Sequence, residues 1–231
     1  MSKINPYIIL DFETGGLKCK VNAVTEVGMI CVDGGTFKEI GRYESYIKPY
    51  IAEYDQSALD FTGITIDRLE SQGKPLKEVV TEMATFFKEM KTITSNSHTK
   101  KPILVGHNFG FDLGFLQSIF KEIKMDYSTL LDGTEDFFGN YRPNYIDTIV
   151  LSKLTWGQTE ERKYNLTACV ETSGGTLNDG HKAINDVIAT KELLIYFVNK
   201  LRSQGGGGVF NPNDNGNAEL IRVRNDFKFE Y

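Results

Sequence analysis

The chain has 231 residues, of which 40% are hydrophobic and 25% are charged, so it can form one substantial domain with a sizeable core. This composition is that of an ordinary globular protein. The formal net charge of −5 argues against a protein that coats nucleic acid by bulk electrostatics, but it allows a local, metal-mediated contact with phosphates.

The sequence also disfavours a membrane or secreted protein. No apolar run approaches the ~18 residues that span a bilayer, and the N-terminal apolar stretch is too short and too quickly acidic for a signal peptide. The three cysteines, Cys19, Cys31 and Cys169, have neither paired nor zinc-binding spacing. They fit packing residues in a reducing compartment, and we therefore expect a cytoplasmic protein.

The first third of the chain predicts three β-strands and a helix. Apolar, β-rich runs occupy residues 7–11, 24–33 and 42–49. Because short connections join these runs, we expect an antiparallel meander. The segment 75–90 then changes to helical spacing, with a proline at a first-turn position and one apolar stripe for the core.

The rest of the folded part alternates strand and helix. The segment 102–108 predicts a short strand, and the segments 112–123, 145–154, 164–174 and 182–201 predict helices. Three strands followed by alternating helices and strands predict an α/β fold, with a mixed sheet and helices on its faces.

The composition changes near the C-terminus. We predict one domain over residues 1–203, a Gly/Asn-rich flexible linker over 204–220 and a strand-like tail over 221–231. Such a tail could add to the sheet edge of a partner, for example a DNA polymerase. Pairing with its own sheet, or disorder, is an equally good interpretation.

Two acidic residues end the first predicted strand. Asp11 and Glu13, in the run "DFETGG", are two positions apart, so their side chains point to the same face of a strand. Two such charges repel each other unless a cation lies between them or one is protonated. A solvated strand end is the alternative, and this pair alone does not decide between them.

Three more candidate residues lie at junctions between elements. Asp112, in "GHNFGFD", stands where a strand passes into a helix, a common ligand position that also suits a helix-capping acid. His181 precedes the last predicted helix, and Asp186 lies in its first turns near the buried edge. A buried carboxylate is costly unless it is compensated, whereas a single histidine before a helix is more often a surface residue.

Taken together, these residues favour a metal site. The four carboxylates carry four negative charges, which two divalent cations would neutralise. Oxygen ligands suit Mg²⁺ or Mn²⁺ better than zinc. Two such ions stabilise the attacking and leaving oxygens of a phosphoryl displacement, and a histidine can take the proton from water.

The segments "DFET", "GHNFGFD" and "HKAIND" resemble, in this order, the three exonuclease motifs of the DnaQ-like superfamily. The third motif has a histidine, four residues and then an aspartate, which resembles the DEDDh branch. The similarity covers about residues 5–202 and includes "YIKP", "FTGIT" and "YIDTIVLSKL". It implies a ribonuclease H-like fold with a mixed five-stranded sheet flanked by helices, similar to the epsilon-type proofreading domain of DNA polymerase III.

The resemblance also implies catalytic roles. Asp11 would bridge two divalent cations, Mg²⁺ or Mn²⁺, while Glu13 and Asp186 would complete one ion site and Asp112 the other. His181 would act as the general base on the attacking water. The reaction would release nucleoside 5′-monophosphates from the 3′ ends of single-stranded nucleic acid.

Six candidate substrate contacts follow from the same resemblance: Thr14, Gly15, Gly16, Leu17, Thr62 and Phe109. The glycines would let the backbone approach a phosphate or sugar closely. Phe109 would stack on a base, with core packing as its alternative. His107 and Asn108 are expected to brace the site by hydrogen bonds.

Three functions remain open on the sequence alone. The leading one is a metal-dependent 3′–5′ exonuclease on single-stranded DNA, in proofreading or repair. The first alternative is a 3′–5′ exoribonuclease on RNA or short oligoribonucleotides, because contacts to the 2′-hydroxyl cannot be read from a sequence. The second is a non-catalytic module that binds nucleic-acid ends, which the presence of all five motif residues disfavours.

Overall fold

The computed structural model describes residues 5–51, 53–93, 99–157, 161–177 and 180–204. Within these ranges the strands are β1 (Tyr7–Thr14), β2 (Val24–Val32), β3 (Glu39–Tyr46), β4 (Thr92–Ile93), β5 (Thr99–Lys100), β6 (Ile103–Gly106), β7 (Gly133–Glu135), β8 (Tyr141–Pro143) and β9 (Tyr145–Asp147). The helices there are α1 (Gln56–Thr62), α2 (Ile66–Gln72), α3 (Leu76–Glu89), α4 (Gly110–Glu122), α5 (Thr148–Trp156), α6 (Leu166–Thr172) and α7 (Ala183–Gln204). None of these helices is long and apolar enough to cross a bilayer.

The central sheet has five strands in the order β3-β2-β1-β6-β9. The predicted meander is confirmed, because β1 pairs antiparallel with β2 and β2 pairs antiparallel with β3. β6 pairs parallel with β1, and β9 pairs parallel with β6. The carboxyl ends of β1, β6 and β9 therefore meet at one edge of the sheet, where ligands bind in α/β folds.

Helices cover both faces of the sheet. On β1, Ile8, Leu10 and Phe12 join the core under α3 and α4, whereas Tyr7 and Ile9 join a second core against α7. Because side chains alternate along a strand, the next odd-numbered residues of β1 point toward the α7 layer. The two acids that end β1 occupy these odd-numbered positions.

α7 lies unusually close to β2 at one glycine. A Cβ atom at Gly28 would lie 2.6 Å from the carbonyl carbon of Ala183 and 2.7 Å from the backbone nitrogen of Ile184. Only a residue without a side chain allows this approach. Gly28 also pairs with Asp11 across the β1–β2 ladder, so the first turn of α7 lies against the strand position that faces Asp11.

Several element predictions need correction. The predicted helix 145–154 is wrong at its start, because Tyr145–Asp147 form β9 on the edge of the sheet and α5 begins only at Thr148. Apolar spacing over so few residues does not separate a strand from a helix. Helices α1 and α2, the β4–β5 pair and the β7–β8 hairpin were not predicted. The remainder of the predicted linker and the tail, residues 205–231, lie outside the described residues.

Candidate active site

Asp11 and Glu13 lie at the carboxyl end of β1, on the side of the sheet that faces α7. Glu13 is only 8% exposed. Burial, together with the charges of Asp186, Glu26 and Asp112, raises the pKa of Glu13 to about 8. Burial, followed by the charges of Asp112, Asp186 and Glu13, raises the pKa of Asp11 well above its ordinary value. The fold therefore holds both acids where their ionised forms are disfavoured without a cation.

Asp112 reaches this strand end from the first turn of α4. The backbone N–H of Phe12, between the two acids of β1, donates a hydrogen bond of 2.9 Å to Asp112 Oδ1. Asp112 is 4% exposed. Burial raises its pKa to about 7, although that hydrogen bond acts in the opposite direction. The carboxylate thus joins α4 to β1 directly beside Asp11 and Glu13.

The start of α7 supplies the remaining two residues. Ligand atoms of Glu13, His181 and Asp186 all lie within 4.8 Å of one another. Burial raises the pKa of Asp186, and the neighbouring His181 partly offsets this effect. His181 is exposed, has a positive φ of 71° and lies with its ring centroid 4.1 Å from that of Phe61.

These side chains fit a hard divalent cation. Asp186 Oδ1 is buried and has no hydrogen-bond partner among the described residues, so it is an acceptor that lacks a donor or an ion. The four acids offer oxygen ligands, and the pKa values of all four are raised. A cation would remove both the mutual repulsion and the unpaired acceptor.

The RNase_T exonuclease family model matches residues 8–194 of the chain. The chain belongs to this exonuclease family. The resemblance to the DnaQ-like exonucleases is confirmed, and the ribonuclease H-like fold predicted from it is confirmed as well. Proteins of this family are exonucleases, and divalent metal ions are their general cofactors.

Curated relatives include two DNA polymerase III PolC-type proteins. The one from Thermotoga maritima is 29% identical and the one from Thermotoga petrophila is 30% identical, each over 200 residues. The match covers 86% of this exonuclease but only 12% of each relative, so the chain corresponds to a small part of those proteins.

Solved structures include Escherichia coli Exonuclease I in complex with a dT13 oligonucleotide, at a TM-score of 0.66 and 18% identity. That match covers 87% of this chain and 42% of Exonuclease I. At this identity, the likeness concerns the fold.

The turn after β1 places four of the predicted substrate residues next to the acids of the exonuclease. Thr14 is buried, and its hydroxyl donates to the carbonyl oxygen of Gly16 at 2.8 Å. A Cβ atom at Gly15 would lie 2.5 Å from the Tyr54 ring, and Gly16 has a positive φ of 148°. Leu17 is 81% exposed and free to contact a ligand.

The other two predicted substrate residues differ from each other. Thr62 ends α1 and is half-buried, with its hydroxyl donating to the Leu59 carbonyl oxygen at 3.2 Å. Phe109 is 0% exposed, and its ring packs against Tyr145 at a centroid distance of 5.3 Å. A base cannot stack on a ring enclosed in this way, so Phe109 is a core residue and its predicted stacking role is withdrawn.

His107 is held at both ring nitrogens, as expected for a bracing residue. Nδ1 lies 2.9 Å from Thr148 Oγ1, and Nε2 lies 2.8 Å from the Tyr164 carbonyl oxygen. Because a carbonyl only accepts, Nε2 carries a proton. Burial lowers the pKa of His107. The imidazole therefore joins the end of β6 to the start of α5 and to the segment before α6.

Three residues near the site were not predicted from the sequence. Glu26 pairs with Glu13 across β1 and β2 and is 5% exposed, and burial raises its pKa to about 7. Asp147 caps α5 and accepts the N–H groups of Asn108 and Phe109 at 2.9 and 3.0 Å. Phe61, 67% exposed, contacts His181. A charged residue inside the otherwise apolar run of β2 was the available signal for Glu26.

Proposed function

We propose that the chain is a two-metal-ion 3′–5′ exonuclease that removes nucleoside 5′-monophosphates from single-stranded DNA ends. The observation that carries this proposal is the approach of Glu13, His181 and Asp186 to within 4.8 Å at the strand end that Asp11 and Asp112 share. The family membership makes phosphodiester hydrolysis the chemistry to which this arrangement is assigned.

Asp11, Glu13, Asp112 and Asp186 would hold two divalent cations, Mg²⁺ or Mn²⁺. When bound, such ions neutralise the carboxylates and stabilise the negative charge that develops on the phosphate and the leaving oxygen. His181 is exposed beside Glu13 and Asp186, so its ring can reach a water molecule at the terminal phosphate.

The chain's own residues account for the proton and substrate steps. His181 takes a proton from the water as its oxygen forms a bond to phosphorus. The bond from phosphorus to the 3′ oxygen of the penultimate nucleotide breaks, and that oxygen leaves and takes a proton from solvent, to which His181 then releases the proton that it took. The turn of Thr14, Gly15, Gly16 and Leu17, with Thr62 at the end of α1, would contact the terminal nucleotide.

DNA is the preferred substrate because the two curated relatives carry the name of a DNA polymerase and the similar Exonuclease I structure holds dT13. A role in proofreading or repair beside a DNA polymerase follows from the same names. RNA is the second candidate, since the matching family model carries the name RNase_T.

The test uses 5′-labelled single-stranded DNA and RNA of equal length, with Mg²⁺ or with EDTA. We expect a Mg²⁺-dependent ladder that shortens from the 3′ end, and the faster ladder identifies the substrate. Asp186→Asn should reduce the rate by at least about a thousandfold, because it removes a charged ligand and leaves the shape unchanged.

Glu192→Gln is the matched control, because Glu192 is an exposed carboxylate on the same helix. It should retain the full rate. Equal rates for the two variants, or a folded chain that shortens neither polymer, would contradict the proposal and favour the non-catalytic binding module.

A further inference from the structure

A cleft lies beside the acidic site, at the carboxyl ends of β6 and β9. It has a volume of about 600 Å³ and is lined by His107, Asn108, Ile149, Lys153, Arg162, Tyr164, Asn165 and Leu166. Two of these side chains are cations and two are carboxamides, and the lining contains no carboxylate. This composition contrasts with the acidic cluster at the end of β1 and with the net charge of −5.

The cleft adjoins the acidic site at the end of β6. Asn108, four residues before Asp112, lines the cleft, and its N–H donates to Asp147 at 2.9 Å. The carboxyl ends of β1, β6 and β9 lie side by side along one edge of the sheet. A single-stranded nucleic acid that leaves the acidic site along this edge therefore meets the cleft next.

The cations of the cleft are available to a ligand. Among the described residues, neither Lys153 nor Arg162 takes part in an ion pair. The Lys153 ammonium lies 5.8 Å from the centroid of the Tyr164 ring, which orients it without neutralising it. Asp147, the acid beneath the cleft, already accepts the N–H groups of Asn108, Phe109 and Ile149.

Hydrogen bonds cross-link the described walls of the cleft. His107 connects the end of β6 to Thr148 and Tyr164 through both ring nitrogens, and the Tyr164 hydroxyl donates to the Gly157 carbonyl oxygen. Asn108 has a positive φ of 60°, and it is exposed at the rim. Two cations on a partly amide-lined wall suit the regularly spaced phosphates of a polynucleotide backbone.

We infer that this cleft, through Lys153 and Arg162, is a binding subsite for internal phosphates of the single-stranded substrate, upstream of the bond that is cleaved. The inference rests on the proposed function in assuming a nucleic-acid strand. It adds that affinity for the strand comes from a basic subsite separate from the metal-binding acids. A chain of negative net charge thereby holds a polyanion through one local cleft.

The test compares two double variants. The cleft variant carries Lys153→Ala and Arg162→Ala together, and the matched control carries Lys77→Ala and Lys88→Ala together. The control removes the same charge from the exposed side of α3, in another layer of the fold. Fluorescence anisotropy in EDTA measures binding of the full chain to a labelled single strand of about 12 nucleotides, between about 20 and 200 mM salt. Hydrolysis of the p-nitrophenyl ester of thymidine 5′-monophosphate in Mg²⁺ tests the acidic site alone.

We expect the cleft variant to bind the strand at least about tenfold more weakly than the control. The slope of log affinity against log salt should fall by about 1.4, the value for two lost contacts to a single strand. Ester hydrolysis should be unchanged, because the ester does not reach the cleft. Loss of ester hydrolysis in the cleft variant alone would overturn the inference, since the substitutions would then act on the acidic site.

Equal binding by the cleft variant and the control, or no binding by the unaltered chain, would also overturn the inference. If strand binding falls as expected but even the unaltered chain hydrolyses neither the ester nor the strand, the subsite stands and the proposed catalytic function fails. The two conclusions are therefore separable in one set of measurements.

Discussion

The acidic site places several carboxylates where none of them is well solvated. Burial is the main cause of the raised pKa of Glu13, Asp112 and Glu26, and mutual repulsion adds to it at Glu13. These groups titrate near neutrality in the folded chain but near 4 in the unfolded chain. The site therefore destabilises the metal-free fold at neutral pH, and it is stabilised by whatever cation it binds.

The raised pKa values predict how the stability of the metal-free chain depends on pH. A carboxyl whose folded pKa is raised keeps its proton longer in the folded state, so folding stability falls as pH rises from the unfolded value to the folded one. With Glu13 raised from 4.5 to about 8, the metal-free chain should lose stability between about pH 5 and pH 8. Mg²⁺ should restore most of the loss at pH 8.

Thermal unfolding in EDTA and in Mg²⁺, at several pH values across this range, measures both effects. Glu13→Gln should flatten the curve of melting temperature against pH in EDTA, because it removes a carboxyl whose pKa is raised to about 8. A melting temperature in EDTA that rises with pH, or a Glu13→Gln curve as steep as that of the unaltered chain, would contradict this account.

The resemblance to known motifs picked out the four acids and His181, which the fold brings to one strand end, and their catalytic roles stay predictions. The sequence was not sufficient for Phe109, whose exposure depends on how β9 packs beside β6 and brings Tyr145 against the ring. Glu26 was missed for a related reason. Its proximity to Glu13 arises from the register between β1 and β2, which no local pattern records.

At the scale of elements, long periodic segments were predicted well and short ones poorly. The meander, α3, α4 and α7 have enough residues for a period of two or 3.6 to be recognised. β9 has only three residues and owes its strand conformation to pairing with β6. Its last residue, Asp147, then caps α5, so one short segment serves both a strand and a helix start.

The close contact between β2 and α7 predicts that a larger residue at Gly28 lowers both stability and activity. Gly28→Ala would place a methyl group against backbone atoms of Ala183 and Ile184, which cannot rotate away as a side chain can. We expect a loss of about 1–3 kcal/mol in the free energy of unfolding, as for overpacked cores. We also expect at least about a tenfold lower rate of hydrolysis, because α7 carries Asp186 and would be displaced.

Gly41→Ala is the matched control on the adjacent strand β3. There the added methyl group meets, at 2.7 Å, the flexible end of the Met90 side chain, which can move aside. It also meets, at 3.1 Å, the edge of the Phe86 ring, which needs to shift by only a few tenths of an ångström. Urea unfolding and the ladder assay should separate the two variants. Equal activity and stability for both would show that the close approach of α7 to β2 does not position Asp186.

For the whole molecule, the tail remains a prediction. We propose that residues 1–203 form the exonuclease domain and that the linker and the strand-like segment 221–231 act only as a tether, which could hold a DNA polymerase. Removal of residues 205–231 should then leave the melting temperature unchanged. The rate of hydrolysis of single strands should stay within about twofold of that of the full chain. A truncated chain that fails to fold would contradict the tether and show that the tail belongs to the domain.

The order in which the chain supplies its active site has a consequence for its synthesis. The acids of β1 are made before His181 and Asp186, which come with the last described helix. Nascent and prematurely terminated chains therefore contain the first two motifs without the third, and they cannot complete the cluster. α7 must also pack on β2 through Gly28 before Asp186 reaches the acids of β1. Under the proposed function, the chain would therefore gain nuclease activity only after its last motif has been made and packed.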